Sequence, residues 1–430
     1  MTIAVLTRAC YPFHGHGGLE RHVYDLVRHL IARENRVVLV TPPDRISRLP
    51  GDEDGHREFS INRAVFQDPR CCRYTVPYYT FPFAGRRGTT IIDRSTAYPL
   101  FGWRAGRLVA DLARRGEVDV VYGHGAAALG YADARKAGAP APFIFNPHGL
   151  EEFGATGAGG FSWLKRAGYG PLRAAVRACA RAADLVIATD RALEPSVIHH
   201  LGVCPGRVRV VPNAIDIEVC DRLATPDDGR RARARHGIAD AETVLLSVGR
   251  LEANKGFEVL AQALSGSHVT AARSWRWVLV GEGPNRTSIE RAIEAGGLRG
   301  RTVLTGPVSE QELHAWYEAA DLFVHPTLYE GSSIVTLEAM AHRLPVIATT
   351  AGGLPDKVQP GVNGWLVEPG DADALAAAIR EALARPDRLG RMGREGRTIA
   401  LERFSWSHVI DQFLDLCAEA SGRAAPSPPV

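Results

Sequence analysis

Short apolar runs alternate along this chain with longer stretches in which apolar residues recur every third or fourth position. The runs are Ile3–Thr7, Arg36–Thr41, Val118–Tyr122, Phe143–Asn146, Leu185–Thr189 and Val208–Val211, then Thr243–Val248, Trp275–Val280, Thr302–Thr305, Leu322–His325, Pro345–Thr349 and Gly364–Val367. Such runs suit strands covered on both faces, and the alanine-rich amphipathic stretches between them suit crossover helices. The pattern predicts an α/β protein in which each set of runs builds one doubly wound parallel sheet. The break falls near Pro212–Ala224, where a strand ends in Pro212-Asn213-Ala214 and polar, arginine-rich sequence begins. An N-terminal domain over 1–215 and a C-terminal domain over 216–405 are expected, facing each other across a central cleft. Residues 406–422 have helical spacing (Val409, Ile410, Phe413, Leu414, Cys417) and are expected to pack back on the N-terminal domain. Residues 423–430 are expected to be a loose tail.

A length of 430 residues agrees with two domains rather than one core. Seven scattered cysteines without C-x-x-C spacing argue against a zinc site or a disulfide framework and fit a reducing cytoplasm. Met1-Thr2-Ile3-Ala4-Val5-Leu6 reads as a first strand and not a signal peptide, and no run of about 20 apolar residues follows. The net charge of +3 conceals an asymmetry: residues 1–210 hold about nine more basic than acidic side chains, the remainder about six more acidic. A basic first half suits an anionic lipid surface or a phosphorylated partner, and no nucleic-acid recognition motif accompanies it. Residues 50–100 are the least regular. There Pro77-Tyr78-Tyr79-Thr80-Phe81-Pro82-Phe83 and Arg86-Arg87 read as a loop that covers an acceptor or touches a membrane, or as an aromatic loop packed on the domain.

Candidate chemistry concentrates in Ala320–Pro369. A buried-strand pattern ending at His325-Pro326 leads to Tyr329-Glu330-Gly331-Ser332-Ser333, and a helix follows from Ile334 and Val335 to Ala341. A strand, a small-residue loop and a helix N-terminus make an anion site from free N–H groups and the helix dipole. Glu330 and Glu338 frame that site. A carboxylate pair first points to glycoside hydrolysis, but two carboxylates in one local segment around an anion site are better placed to bind hydroxyls. Upstream, Gly249-Arg250-Leu251-Glu252-Ala253-Asn254-Lys255-Gly256 leaves a strand and enters a helix. Arg250 offers a planar fork and Lys255 a point charge, a pair suited to a departing diphosphate.

Together with Leu279–Pro284, Ala351–Asp371, the opening His16-Gly17-Gly18-Leu19-Glu20-Arg21-His22, Asn146-Pro147-His148-Gly149 and Val211–Asp216, these segments resemble family-4 glycosyltransferases of the GT-B fold. The resemblance spans most of the chain, and Glu330/Glu338 match the family's E-x7-E signature. It implies two Rossmann-like domains and retaining transfer of a sugar from a nucleoside diphosphate, UDP-sugar first and GDP-sugar next. The acceptor is a hydroxyl on a glycan, a lipid-linked molecule or a small molecule. By the same resemblance Arg250 and Lys255 hold the diphosphate, Glu338 the ribose, and Glu330 the transferred sugar. Amides of Ser332, Ser333, Ile334 and Val335 bind phosphate or sugar, with Gly331 allowing close approach. Gly306-Pro307-Val308 meets the base, His148 touches the sugar, the Gly17-Gly18 turn closes beneath the donor, and Gly249 is also a donor-binding residue. No cofactor or metal is implied. Where the family commonly has Gly-Phe-Gly-Leu this chain has Gly331-Ser332-Ser333-Ile334, which bears on sugar preference; Asp356 replaces a common glutamate.

Rival readings are a phosphorylase or nucleotide-sugar epimerase on the same fold, and a non-catalytic sugar- or lipid-binding relative. The latter would have lost Arg250, Lys255 or a glutamate, and all are present. His14, His16, His124 and His148 have no metal-ligand spacing, and a G-x-S-x-G elbow and a Walker motif are both lacking.

Overall fold

A computed structural model describes residues 1–15, 17–44, 64–79, 90–153, 167–266, 269 and 274–422. His16, Arg86, Arg87 and the tail 423–430 lie outside them. The chain forms two compact units: one runs to Pro212 and is rejoined by the chain from Trp406, and the other is Asn213–Ser405.

The first unit holds a parallel sheet of seven strands: β1 (Thr2–Leu6), β2 (Arg36–Thr41), β3 (Cys71–Thr75), β4 (Val120–His124), β5 (Phe143–Asn146), β6 (Leu185–Ala188) and β7 (Val208–Val210). Their order is β3-β2-β1-β4-β5-β6-β7. Each predicted run in this half holds a strand, and β3 is an addition from the stretch read as irregular. It is an edge strand whose Cys71 alone is buried, so its sequence mixes polar and apolar residues and carries no apolar run. The Thr90–Arg114 helix also starts inside that stretch. The Trp406–Ala420 helix buries Val409, Ile410, Phe413 and Leu416 and packs on the Gly18–Ala32 helix and β5 of this unit.

The second unit holds six parallel strands: β8 (Thr243–Val248), β9 (Trp275–Val280), β10 (Thr302–Gly306), β11 (Leu322–His325), β12 (Val346–Thr349) and β13 (Gly364–Val367), in the order β10-β9-β8-β11-β12-β13. Alternate residues of β8 enter opposite layers. Val244, Leu246 and Val248 join Tyr317, Leu337 and Met340, while Leu245 joins Phe257, Leu260 and Trp277. Both sheets are covered on both faces, which is why their inner strands read as continuous apolar runs. Strand order reverses between β1 and β4 and between β8 and β11. At such reversals the connections leave in opposite directions and open a crevice at the carboxyl ends of the strands.

Candidate functional site

The second unit's reversal point collects most of the residues singled out in the sequence. Arg250 and Lys255 follow β8, Glu330–Ser333 follow β11, and Gly306, Pro307 and Val308 close β10 at the same edge of the sheet. Neighbouring loops are tied together: Leu328 N–H donates to Asn254 O at 2.7 Å, and the Thr327 hydroxyl reaches the same carbonyl at 3.0 Å. Gly256 must be glycine there. Its φ is +67°, and a Cβ would lie 2.1 Å from Pro326 O.

This join brings together an ion pair from positions 75 residues apart. Lys255 Nζ donates to Glu330 Oε2 at 2.8 Å, and His325 Nε2 lies 2.8 Å from the same oxygen. Burial alone would raise the Glu330 pKa, but the Lys255 charge and the His325 hydrogen bond outweigh it and hold the carboxyl far below its usual range. Burial lowers the pKa of His325, so a neutral ring donating through Nε2 fits the contact. Glu330 is therefore an anion at neutral pH. It can accept hydrogen bonds from hydroxyls but has no proton to give a leaving group. Arg250 stands apart: its side chain is 72% exposed and 3.1 Å from Glu252, so it can move to an incoming anion at little cost.

The Ile334–Ala341 helix starts where the sequence predicts it. Ser333 is its N-cap and accepts from Thr336 N–H at 3.3 Å, leaving the N–H groups of Ile334 and Val335 at the open helix end. Glu338, on the second turn, is buried and accepts from the Tyr317 hydroxyl at 2.8 Å. The Tyr317 ring stacks on His342 at 5.5 Å, and His342 in turn contacts Glu318 at 2.6 Å and His314 at 2.8 Å. Sequence reasoning missed Tyr317 and His325. The proline after His325 marked a strand exit, but neither residue carries a motif of its own.

In the first unit, the helix after β1, the end of β4 and the turn after β5 again meet at the reversal point. Gly17 caps the Gly18–Ala32 helix in extended conformation, and both Gly17 and Gly18 are exposed. His148 has a φ of +59°, uncommon for a residue other than glycine, and an Asn146 turn holds it: Asn146 Oδ1 accepts from His148 N–H at 2.8 Å. Its ring stacks on His124 at 4.7 Å, and their ring nitrogens are hydrogen-bonded. His22 completes a trio that spacing did not reveal, with rings 5.9 Å from His124 and 5.3 Å from His148. Burial lowers all three pKa values, that of His22 to about 4, so the rings are neutral at pH 7. Ligand atoms within this trio lie within 4.8 Å of one another, as do those of Cys220, His314 and His342 in the second unit. Each trio comes from three separate segments, so neither shows metal-ligand spacing in the sequence.

A family model described as "Glycosyltransferase Family 4" matches residues 16–219, and one described as "Glycosyl transferases group 1" matches 242–385. A D-inositol 3-phosphate glycosyltransferase of Geodermatophilus obscurus is 36% identical over 259 residues, 57% of this chain and 56% of the relative. The chain thus spans little more than half the length of that relative. An MMP alpha-(1->4)-mannosyltransferase of Mycolicibacterium hassiacum is 30% identical over 329 residues, 76% of each chain. Among solved structures, Anabaena Alr3699/HepE in complex with UDP aligns over 97% of this chain and 100% of its own, at 22% identity and a TM-score of 0.72. A sucrose-phosphate synthase of Thermosynechococcus elongatus aligns over 97% and 98%, at 24% identity and a TM-score of 0.73. These likenesses give the GT-B fold. The two family models fall in turn on the two units, and with the mannosyltransferase match they establish that this chain belongs to glycosyltransferase family 4.

Proposed function

We propose that this chain is a retaining hexosyltransferase that moves a sugar from a nucleoside diphosphate, UDP first and GDP next, to a hydroxyl acceptor. The observation that carries the reading is the Glu330 carboxylate held between Lys255 and His325 beside an open helix N-terminus. Such a group binds sugar hydroxyls and does not act as a hydrolytic acid. Glu338, braced by Tyr317, takes the ribose hydroxyls, and Gly306-Pro307-Val308 meets the base. Arg250, Lys255 and the amides of the first helical turn receive the charge of the departing diphosphate. The bond from the anomeric carbon to the phosphate oxygen breaks while the acceptor oxygen bonds on the same face. The acceptor proton passes to the leaving phosphate. Positive charge fixed in advance where negative charge develops supplies much of the rate. HepE was solved with UDP and UDP-glucose, which supports a uridine donor.

These groups do the electrostatic work that a divalent ion performs elsewhere. The test is a panel of UDP-, GDP- and ADP-sugars, read by thermal stabilisation and donor hydrolysis with and without EDTA. One nucleotide series should stabilise the protein and turn over equally in both conditions. Stabilisation by none overturns the donor reading; activity lost to EDTA and restored by a divalent ion overturns the metal-free one.

Peripheral membrane contact through the first unit is part of the proposal. Ile92, Leu100 and Trp103 are 54%, 47% and 40% exposed and share one face of the Thr90–Arg114 helix, with Arg107 over the Trp103 ring at 4.8 Å. An apolar stripe with cations beside it suits an anionic bilayer surface. Among the described residues no helix is long and apolar enough to cross a membrane. Co-sedimentation with phosphatidylglycerol vesicles should fall several-fold in a Leu100→Glu/Trp103→Glu variant; unchanged binding removes this face from the proposal.

A further inference from the structure

Lys357 is fully buried, directly after the Leu354–Asp356 turn that follows β12. Its ammonium donates to Ser332 Oγ at 3.1 Å and to Gly353 O at 3.3 Å, and lies 5.5 Å from the Phe404 ring. Burying an ammonium is costly, so its position against the donor loop calls for a reason beyond packing. The surrounding backbone is tightly tied. Gly353 N–H donates to Gly331 O at 2.9 Å, and Asn213 Nδ2 donates to Ser332 O at 3.2 Å. Lys357 thus joins two adjoining loops from beneath.

The chemistry of the contact has a direction. An ammonium only donates, so Ser332 Oγ is the acceptor, and the Ser332 carbonyl is already engaged by Asn213. With one lone pair taken by the ammonium, Ser332 keeps its O–H proton and one further lone pair, and the cation polarises the O–H and favours it as a donor. A phenylalanine at 332 would leave the ammonium without this oxygen, so Ser332 and Lys357 work as a unit.

We propose that Lys357 is a positioning residue that sets donor selectivity: it fixes the Ser332 hydroxyl as a hydrogen-bond donor toward an acceptor oxygen of the transferred sugar. This rests on the donor reading above, and it predicts a sugar-specific effect that leaves nucleotide binding intact. The variants are Lys357→Met, which keeps the volume and removes the ammonium, Ser332→Ala, and the double variant. Each is titrated with UDP-glucose, GDP-mannose and ADP-glucose, and with UDP, GDP and ADP alone.

For the series that the wild type binds, Lys357→Met should weaken nucleotide-sugar binding about tenfold while nucleotide affinity stays within about twofold. Ser332→Ala should do the same, and for sugar binding the double variant should be no worse than either single one, because each breaks the Lys357–Ser332 contact through which the effect runs. Equal weakening of nucleotide and nucleotide-sugar would make Lys357 a general loop brace and overturn the inference. So would additive losses. Should Lys357→Met fail to fold, Ser332→Ala alone decides: unchanged sugar selectivity overturns the inference. A wild type that binds no nucleotide overturns the donor reading and this inference with it.

Discussion

Lys255→Ala is expected to lower turnover by about two to three orders of magnitude, the effect of removing one preorganised donor from a developing oxyanion. The ammonium lies 2.8 Å from Glu330, so the variant also leaves a largely buried carboxylate without its cation. That loss costs about 3 kcal/mol of stability. The pH dependence has a definite sign. The folded pKa of Glu330 is depressed below its ordinary 4.5, so its stabilising contribution is complete above pH 4.5 and is lost as pH falls toward the folded value. Without Lys255 that depression shrinks, and the wild type's stability advantage over the variant should narrow as the medium is acidified below pH 4.5. Turnover with the donor found in the panel and melting temperatures at several pH values measure both effects. Lys255→Ala/Glu330→Gln separates them: it should regain stability without regaining turnover. Near-normal turnover in Lys255→Ala sinks the assignment.

Gly352→Ala should damage both folding and donor binding. Gly352 has a φ of +56°, and an added Cβ would lie 1.9 Å from Glu330 O. The left-handed backbone costs an alanine about 1–2 kcal/mol, and displacing a carbonyl brings the total to about 2–4 kcal/mol. The carbonyl has little room to yield, because Gly353 N–H bonds Gly331 O across the same join. The Glu330 carboxylate would move with its backbone, so donor affinity should fall with stability. Gly361→Ala is the control: its φ is +79° but nothing lies within 4 Å of the new Cβ. It should cost stability alone, and equal donor affinity in the two variants would refute the argument. Urea denaturation and donor titration supply both readings.

The inner strands were legible because burial on both faces writes an unbroken apolar run, as in Val244-Leu245-Leu246 of β8. Edge strand β3 was not, since only Cys71 is buried and exposed Cys72 and Thr75 with half-buried Arg73 break any apolar run. The Ile334–Ala341 helix and its Ser333 cap were local and readable. Lys255 and Glu330 were each picked out, but their pairing was not. It depends on β8 and β11 lying side by side across a strand-order reversal, which no local pattern encodes. His22 and Tyr317 failed for the same reason: each matters through partners from distant segments.

The return of Trp406–Ala420 to the first unit also sets an order of assembly. This helix is the last described element to leave the ribosome, yet Trp406, Val409, Ile410 and Phe413 fill space against the Gly18–Ala32 helix and β5. The second unit, continuous over Asn213–Ser405, can complete itself before the first unit is sealed. During synthesis the early unit therefore carries an uncovered apolar patch for as long as it takes to make the whole later unit, an interval in which chaperones or neighbouring nascent chains can bind it. A frameshift or stop just before residue 406 would make that interval permanent.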